Sequence, residues 1–373
     1  MKPIEWVYIP RFTHASISGV TFGGFLCGRF LASQPNATPD DDNPDVGDSA
    51  AVGTVPAFSR AGVPAWSYIT YWQARIAAAN ANAIDGPGVH LLSAFEGASL
   101  AMLSHKFGVL PHGNNANVNP PADVTYTGET ALLDRAGNAR NAGWYPSLVG
   151  TGPATWNLLH HPNGPADLNG NKWKWRLGLH LQTADEAGHA GHALVLGNLS
   201  VSLVGSPYGV STSVGTNTLT DSRKAWVTNE FATMFLLDSA GTRFTISSNT
   251  ATVITVSSGN PASGVYEVVK DTGTDITSGM SSGNKILTLR DSDASLKGFA
   301  IPATSDATGA AAYGTDGYWF NVADPGPAPN NIRTGFWSGA WDDGASAGVF
   351  ALYLNTAPSY SGITVGFRLA KSL

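Results

Sequence analysis

The stretch from Arg333 to Arg368 reads RTGFWSGAWDDGASAGVFALYLNTAPSYSGITVGFR, and its pattern decides how the chain is interpreted. Glycines recur through it, and Trp337 and Trp341 stand four residues apart. Small polar or aromatic residues alternate with rigid apolar ones. This pattern predicts a tryptophan-anchored loop followed by a short hairpin. The pattern favours a surface that displays side chains to a partner over a catalytic motif.

Within this stretch, one strand face is expected to point inward. Phe350, Leu352 and Leu354 share a face at alternate positions, so their side chains should pack in the core. Ala351 and Tyr353 are expected to point outward.

The composition sets the broad class of the protein. The chain has 373 residues, of which 43% are hydrophobic and 13% are charged. Abundant Gly, Pro, Asn, Ser and Thr predict many turns between short strands, with helix in the minority. The net charge of −6 comes without a basic cluster, which argues against nucleic acid as a partner.

The N-terminus, MKPIEWVYIPRF, lacks the apolar core of a signal peptide, and no run is long enough to span a membrane. We therefore expect synthesis in the cytoplasm, with no membrane insertion. A surface location would require assembly into a particle or another route. Cys27 is the single cysteine and should be a buried, unreactive thiol.

Two helices are predicted in the first third of the chain. The first follows from apolar residues at intervals of three and four, and it should end near Ala83. Its stripe consists of Trp66, Ile69, Trp72, Ile76 and Ala79. The second follows from a capping box of Ser93 and Glu96 and from a stop at Gly108. Its inner face should consist of Phe95, Ala98, Met102 and Phe107.

Strands account for most of the remaining predictions. Glu5 to Ile9 should form a strand that pairs with the segment from Val20 to Phe30. Trp173 to Leu181 alternates apolar and polar residues and predicts a half-buried strand after a turn at Asn169–Gly170. Thr, Ser and Val-rich runs with regular turn signals predict a small all-β insertion. The domains are therefore residues 1–204, the insertion at 205–296, and residues 297–373, with the variable region at about 333–368.

Candidate metal ligands are few. His189 and His192 are three residues apart and follow Asp185 and Glu186, but Gly188 and Gly191 argue against a helix there. No third ligand has an obvious place, so no metal site is predicted, and zinc or iron is the alternative. A second group of carboxylates lacks the spacing of a calcium loop and predicts a solvated loop. It consists of Asp40, Asp41, Asp42, Asp45 and Asp48.

Five segments, in order, resemble the formylglycine-generating-enzyme subclass of the C-type lectin fold. They are EWVYIPRF, GVTFGGFLCGRFLAS, PGVHLLSAFEGASLA, GPATWN with DLNGNKWKW, and GFR. The resemblance implies an α+β fold with two helices, short antiparallel strands and much irregular loop. Enzymes of that subclass use a cysteine pair near the C-terminal end of the domain. Because Cys27 is at the other end, catalytic residues are predicted to be absent.

The C-terminal stretch is similar to the variable region of ligand-binding proteins diversified by diversity-generating retroelements, which include receptor-binding tip proteins of some bacteriophages. In that system, adenines of a template are copied with errors. The resemblance implies a variable, ligand-binding set: Phe336, Ser338, Asp342, Asp343, Ser346, Tyr353, Thr356, Tyr360, Gly362, Ile363 and Thr364. It implies a fixed scaffold: Trp337, Trp341, Phe350, Leu352, Phe367 and Arg368.

The sequence therefore predicts a binding protein without enzymatic activity. Its partner would be a protein or a glycan on a cell surface, met first by Phe336, Tyr353 and Tyr360. The chain would be part of a phage particle or displayed on a surface. No cofactor is predicted; structural calcium or magnesium, the ligand's identity and the oligomeric state stay open. The alternatives are an enzyme of the formylglycine-generating or iron-oxidase type, and an invariant carbohydrate-binding or structural particle protein.

Overall fold

The structure, a computed structural model, describes residues 3–40, 54–134, 143–183, 188–323 and 332–373. The described residues form a mixed fold of helices and many short strands, which confirms the predicted α+β class. The helices are α1 (Tyr71–Asn80), α2 (Asn82–Asp85) and α3 (Ala94–Phe107). Within the described ranges, every helix is too short or too polar to cross a bilayer.

The strands are, in chain order, β1 (Trp6–Ile9), β2 (Phe12–His14), β3 (Ile17–Phe22), β4 (Phe25–Gly28), β5 (Ala32–Ser33), β6 (Phe58–Ser59), β7 (Val89–Leu91), β8 (Gly113–Asn114), β9 (Asn169–Gly170), β10 (Trp173–Gln182), β11 (His192–Leu196), β12 (Tyr208–Val210), β13 (Ser213–Gly215), β14 (Thr218–Thr220), β15 (Phe235–Leu237), β16 (Arg243–Asn249), β17 (Val253–Val256), β18 (Val265–Asp275), β19 (Asn284–Leu289), β20 (Pro302–Asp306), β21 (Gly317–Phe320), β22 (Ile332–Trp337), β23 (Leu352–Leu354), β24 (Val365–Phe367) and β25 (Leu369–Lys371).

A four-stranded sheet joins the two ends of the described chain in the order β1–β4–β25–β7. Strand β1 pairs antiparallel with β4, so the predicted pairing of the N-terminal strand with the Val20–Phe30 segment is confirmed. Strand β25 lies between β4 and β7. Residues near the C-terminus therefore complete a sheet begun by residues near the N-terminus.

A large sheet is built around β10. The first residues of β10 lie between β22, which is antiparallel, and β24, which is parallel. Its last residues lie between β22 and β11. On one side the sheet continues through β23, β21, β19 and β20, and on the other it continues through β18 into the predicted insertion.

Strand β10 was predicted to be half-buried, and that prediction is wrong. All its residues are buried, including Lys174 and Arg176 on the polar face. Helix α3 contacts the strand, and Trp337 covers the side chain of Arg176. The strict alternation in the sequence therefore marks two different buried faces rather than a core face and a solvent face.

Helix α1 begins later than its apolar stripe predicted. Thr70 is the N-cap, with a reciprocal capping box to Gln73, so Trp66 and Ile69 precede the helix. Both are buried in the main hydrophobic cluster, and the segment before α1 is irregular and hydrogen-bonded to distant backbone. The Trp66 N–H donates to the Ala32 carbonyl at 2.7 Å. The four-residue helix α2 continues to Asp85, close to the predicted end.

Helix α3 confirms the predicted capping box and left-handed stop. Ser93 accepts from the Glu96 N–H, and Gly108 has a φ of 65°. Phe107, predicted to face inward, is instead 60% exposed. His105 supplies the inward ring of the last turn, stacking on Tyr313 with centroids 5.3 Å apart.

The region from β12 to β18 has its own hydrophobic cluster. Its buried members are Leu219, Trp226, Phe231, Leu236, Ile246, Ile254, Val256, Tyr266 and Val268. Strand β19 pairs with β20 and β21 rather than with this region. The domain boundaries at 204 and 296 stay a prediction.

A buried ionic cluster ties β18 to the central part of the fold. The Tyr71 hydroxyl donates to Glu267 at 2.7 Å, and Arg75 and His180 each lie 3.4 Å from the same carboxylate oxygen. Burial raises the pKa of Glu267, but Arg75 and His180 outweigh it and hold the pKa below its usual value. An ionised Glu267 therefore links α1, β10 and β18.

Some of the predicted carboxylate positions lie outside the described residues. They are Asp41, Asp42, Asp45, Asp48, Asp185 and Glu186.

Candidate functional site

The short hairpin predicted after the loop is wrong: β23 pairs with β21 and β22, whereas β24 pairs with β10. Strand β22 pairs with β10 on one edge and with β23 on the other, which places Phe336 opposite both Trp175 and Tyr353. After two irregular connections, β24 returns to pair with β10. The predicted loop between Trp337 and Phe350 therefore starts and ends on the same sheet.

The six residues predicted as scaffold are all buried. They are Trp337, Trp341, Phe350, Leu352, Phe367 and Arg368. Ala351, predicted to point outward, is buried as well. It adjoins the tight Gly348–Ala351 turn, in which the Ala351 N–H donates to the Gly348 carbonyl at 3.0 Å.

The two tryptophans of the scaffold carry cations from the β10 segment on their faces. The Arg176 guanidinium lies 5.1 Å from the Trp337 ring, and the Lys172 ammonium lies 4.7 Å from the Trp341 ring. Lys172 also donates to the Ile363 carbonyl at 2.9 Å. Burial lowers the pKa of Lys172 to about 8 and that of Arg176 to about 9. These contacts connect the β10 segment to Trp337, Trp341 and the Ile363 backbone, and they stabilise the C-terminal stretch.

Arg368 connects three separate parts of the chain. Its guanidinium donates to the carbonyls of Gly28 at 2.7 Å and Arg29 at 2.9 Å, and it also donates to the Ala166 carbonyl. Because a planar guanidinium offers several donors at fixed angles, one side chain satisfies three backbone acceptors.

Five rings from β10, β21, β22, β23 and the connection after β23 form an aromatic cluster. The aromatic cluster consists of Trp173, Trp319, Phe336, Tyr353 and Tyr360. The Tyr353 ring lies 5.4 Å from Trp173 and 6.0 Å from both Trp319 and Phe336. The Tyr360 ring lies 6.1 Å from Phe336. The three aromatic residues predicted to meet a ligand are thus brought together.

Exposure differs across the aromatic cluster. Tyr360 is 43% exposed, while Tyr353 and Trp319 are partly exposed. Phe336 is 2% exposed, so the prediction that it leaves the core is wrong. Its ring centroid lies 4.0 Å from that of Trp175, which belongs to β10 and precedes it by more than a hundred residues. Phe336 is therefore a buried ring against which Tyr353 and Tyr360 pack.

Two further members of the predicted variable set are also buried. Ser338 is 1% exposed because its backbone bridges Gly170 and Ala351, and its φ of 80° turns the chain. Ile363 is 6% exposed because its side chain joins the main hydrophobic cluster. Their role in binding stays a prediction.

The remaining eight members reach the surface wholly or in part. They are Asp342, Asp343, Ser346, Tyr353, Thr356, Tyr360, Gly362 and Thr364. Their contribution to ligand binding stays a prediction.

Asp342 and Asp343 add negative charge to this face. Asp343 accepts from the Ala340 N–H at 2.5 Å, which closes the turn that follows Trp337. Burial, together with the neighbouring charge of Asp342, raises the pKa of Asp343 to about 6. Burial also raises the pKa of Asp342. Asp343 can therefore gain or lose a proton at about pH 6.

A cavity of about 310 Å³ opens beside the loop. Asp316, His112, Asp123 and Gly348 are among the residues lining it. The Asp316 carboxylate accepts from the Phe350 N–H at 2.7 Å. Burial raises the pKa of Asp316 to about 8. Sequence reasoning missed these residues, since no local motif links Asp316 to the loop thirty residues later.

Cys27 is buried, as predicted. Burial raises the pKa of its thiol to about 11, so the thiolate, which is the nucleophilic form, is scarce at neutral pH.

Comparison with known proteins finds no matching family model and no matching curated protein. Among solved structures, the chain is similar to the Major Tropism Determinant U1 Variant with a TM-score of 0.27 and 10% identity. The match covers 99% of this chain and 55% of that chain, so this chain spans about half the length of that structure. At this TM-score the likeness is distant and defines neither the fold nor the site.

Proposed function

We propose that the chain is a non-enzymatic ligand- or receptor-binding protein with a C-type lectin fold, whose C-terminal surface is diversified by a retroelement. One observation carries this proposal. Within a single stretch, the six residues predicted as scaffold are buried, while eight of the predicted variable residues reach the surface. Such a division suits a frame that stays constant beneath residues that change.

The exposed groups favour a macromolecular or glycan partner. Tyr353 and Tyr360 offer large amphipathic rings with few side-chain torsions to restrict on binding. They are supported by Phe336 and Trp173, which are buried beneath them. Asp342 and Asp343 add hydrogen-bond acceptors beside the rings. A protein or a glycan on a cell surface presents complementary groups for this combination.

Catalysis by a formylglycine-generating route does not suit this chain. That chemistry uses a cysteine pair, whereas Cys27 is the single cysteine and is buried. In the proposed role the chain would be carried on a phage particle or displayed on a cell surface.

The proposal is tested in the DNA beside the gene and in a matched pair of variants. We expect a near-copy of the region encoding residues 333–368, differing at adenines and adjoining a reverse transcriptase gene. Sequencing of many gene copies should place substitutions in codons of the variable set and leave the Trp337 and Trp341 codons unchanged. An absent copy, or substitutions spread evenly along the gene, would remove the diversification part.

The binding part is tested with labelled protein on glycan and surface-protein arrays. We expect Tyr353→Ser with Tyr360→Ser to abolish the signals given by the unmodified chain. The control is Tyr8→Ser, which removes a tyrosine that is 53% exposed at a distant strand. Equal losses in the control and the double variant, or no signal from the unmodified chain on either array, would contradict a binding site at the aromatic cluster.

A further inference from the structure

Three side chains of residue types that can bind metal ions meet at the turn between β10 and β11. His189 lies in the turn between β10 and β11, His192 is the first residue of β11, and Asp271 lies on β18. We call these three residues the His–Asp cluster. Asp271 precedes the end of β18 and follows His192 by 79 residues, so the sequence offered no signal that it was the third member.

The glycines that argued against a helix here shape the turn instead. Gly188 and Gly191 have φ values of 79° and 82°, a region that side chains disfavour. The His192 N–H donates to the His189 carbonyl at 2.9 Å, which closes the turn. A Cβ on Gly191 would lie 2.3 Å from a carboxylate oxygen of Asp275. The turn thus holds both histidines against β18.

Both imidazoles face one carboxylate. His189 Nδ1 lies 2.6 Å from Asp271 Oδ2, and His192 Nδ1 lies 3.2 Å from Oδ1 and 3.4 Å from Oδ2. One ligand atom from each of the three residues lies within 4.8 Å of the others. Around a four-coordinate Zn²⁺ with bonds of about 2.0–2.1 Å, neighbouring ligand atoms are about 3.3 Å apart. The separations between the imidazole and carboxylate atoms bracket that value.

The Asp271 carboxylate is already oriented by hydrogen bonds from groups outside the His–Asp cluster, and these hydrogen bonds could persist when a metal ion is bound. Gln182 Nε2 donates to Asp271 Oδ2 at 3.0 Å, and the Gly273 N–H donates to Oδ1 at 2.8 Å. Gln182 is itself 2% exposed. Such outer contacts fix the direction of a ligand and are a regular feature of metal sites.

We propose that His189, His192 and Asp271 bind one divalent transition-metal ion of the Zn²⁺ class, with water in the remaining position. Two imidazoles and one carboxylate suit zinc and its neighbours, whereas calcium and magnesium prefer oxygen ligands throughout. The ion would replace the imidazole-to-carboxylate hydrogen bonds and join the β10–β11 turn to β18. It would therefore fasten the region from β12 to β18 to the central strand.

The proposal is independent of the display function and is tested with the metal alone. The full chain, stripped with a chelator and dialysed, is titrated with ZnCl₂ in a calorimeter. We expect one equivalent of Zn²⁺ to bind in the micromolar range or tighter, and Mg²⁺ and Ca²⁺ not to compete. We expect His189→Ala, His192→Ala and Asp271→Asn each to weaken binding by about tenfold or more.

His161→Ala is the matched control, since His161 is exposed in a separate loop and should leave binding unchanged. Co²⁺ gives a second measurement: its visible absorption bands should appear with the unmodified chain and with the control, and disappear with His189→Ala and His192→Ala. Far-ultraviolet circular dichroism checks that each variant is folded. No Zn²⁺ binding in the micromolar range, or binding that survives both histidine replacements, would overturn the proposal.

Discussion

The region from β12 to β18 and the stretch from β22 to β24 are both built from short strands of the same sheet, yet they are stabilised differently. The first is a series of antiparallel neighbours with its own cluster of nine buried residues. The second consists of three strands separated by irregular loops, and most of its buried apolar residues belong to the main core, while Ile332 packs with Leu237 and Val269. One region is fixed mainly by its own hairpins, and the other by distant parts of the chain.

The difference bears on where a recognition surface can form. A regular strand presents every second residue to solvent, as in β16, whose exposed positions carry polar groups such as Thr245 and Ser247. The C-terminal loops have no such repeat, because Trp337, Trp341 and Arg368 hold the backbone instead. Of the two partly exposed tyrosines, Tyr353 lies within the short strand β23, and Tyr360 lies in the irregular connection that follows it.

Trp337→Ala should give the largest effect, since it removes a buried ring and the platform beneath Arg176. We expect a loss of about 3–5 kcal/mol in the free energy of unfolding, measured by urea denaturation. The control is Tyr360→Ala, which trims a 43% exposed ring and should cost about 0.5 kcal/mol or less. Similar losses in the two variants would contradict the division into frame and surface.

Ile254→Ala should give a smaller effect that stays within the region from β12 to β18. Ile254 is fully buried in the separate cluster, so we expect a loss of about 2–4 kcal/mol. Amide hydrogen exchange should show faster exchange in β16 and β17, while β22 and β24 keep their protection. Thr255→Ala, the next position on the same strand, is the control. Equal loss of protection in both regions would show that they unfold as one unit.

Asp316 should make the stability of the loop depend on pH, through an effect that is spread over several pH units. Burial raises its pKa from 3.8 to about 8 in the folded state, so folding favours the protonated form. Its contribution is complete below about pH 4 and is lost as pH rises through about 8. The slope reaches at most about 1.4 kcal/mol per pH unit.

We therefore expect Asp316→Asn to lose less stability than the unmodified chain between pH 5 and pH 8, as judged by thermal midpoints at each pH. Asp306→Asn removes an exposed carboxylate and is the control. A constant difference between Asp316→Asn and the unmodified chain across this range would contradict the raised pKa.

Local signals in the sequence predicted local structure well. Helix α3 was predicted with its cap and stop because Ser93, Glu96 and Gly108 act within a few residues of one another. The start of α1 was predicted too early because the apolar stripe continues into the irregular segment before the N-cap residue Thr70. The burial of β10 on both faces was missed, since what covers its polar face comes from Trp337, far along the chain.

The candidate site was predicted in part for the same reason. Spacing identified the rigid positions Trp337, Trp341 and Phe350, because large apolar residues in a glycine-rich stretch are seldom left exposed. The burial of Phe336 and Ile363, which the resemblance assigns to the variable set, could not be predicted from spacing. It is decided by contacts with β10 and the main core. Asp271 and Asp316 act only through long-range contacts, and no spacing rule reaches them.

Under the diversification proposed above, the position of Arg368 would decide which gene copies give a folded chain. Arg368 and β25 lie after every member of the variable set, and β25 fills the space between β4 and β7. A gene copy with a premature stop or a shifted reading frame anywhere before that point encodes a chain without the arginine and without the closing strand. Such a chain leaves sheet edges unpaired and becomes a substrate for proteases. In the proposed role, truncated and frame-shifted products of error-prone copying would thus fold poorly and be degraded more readily than full-length products.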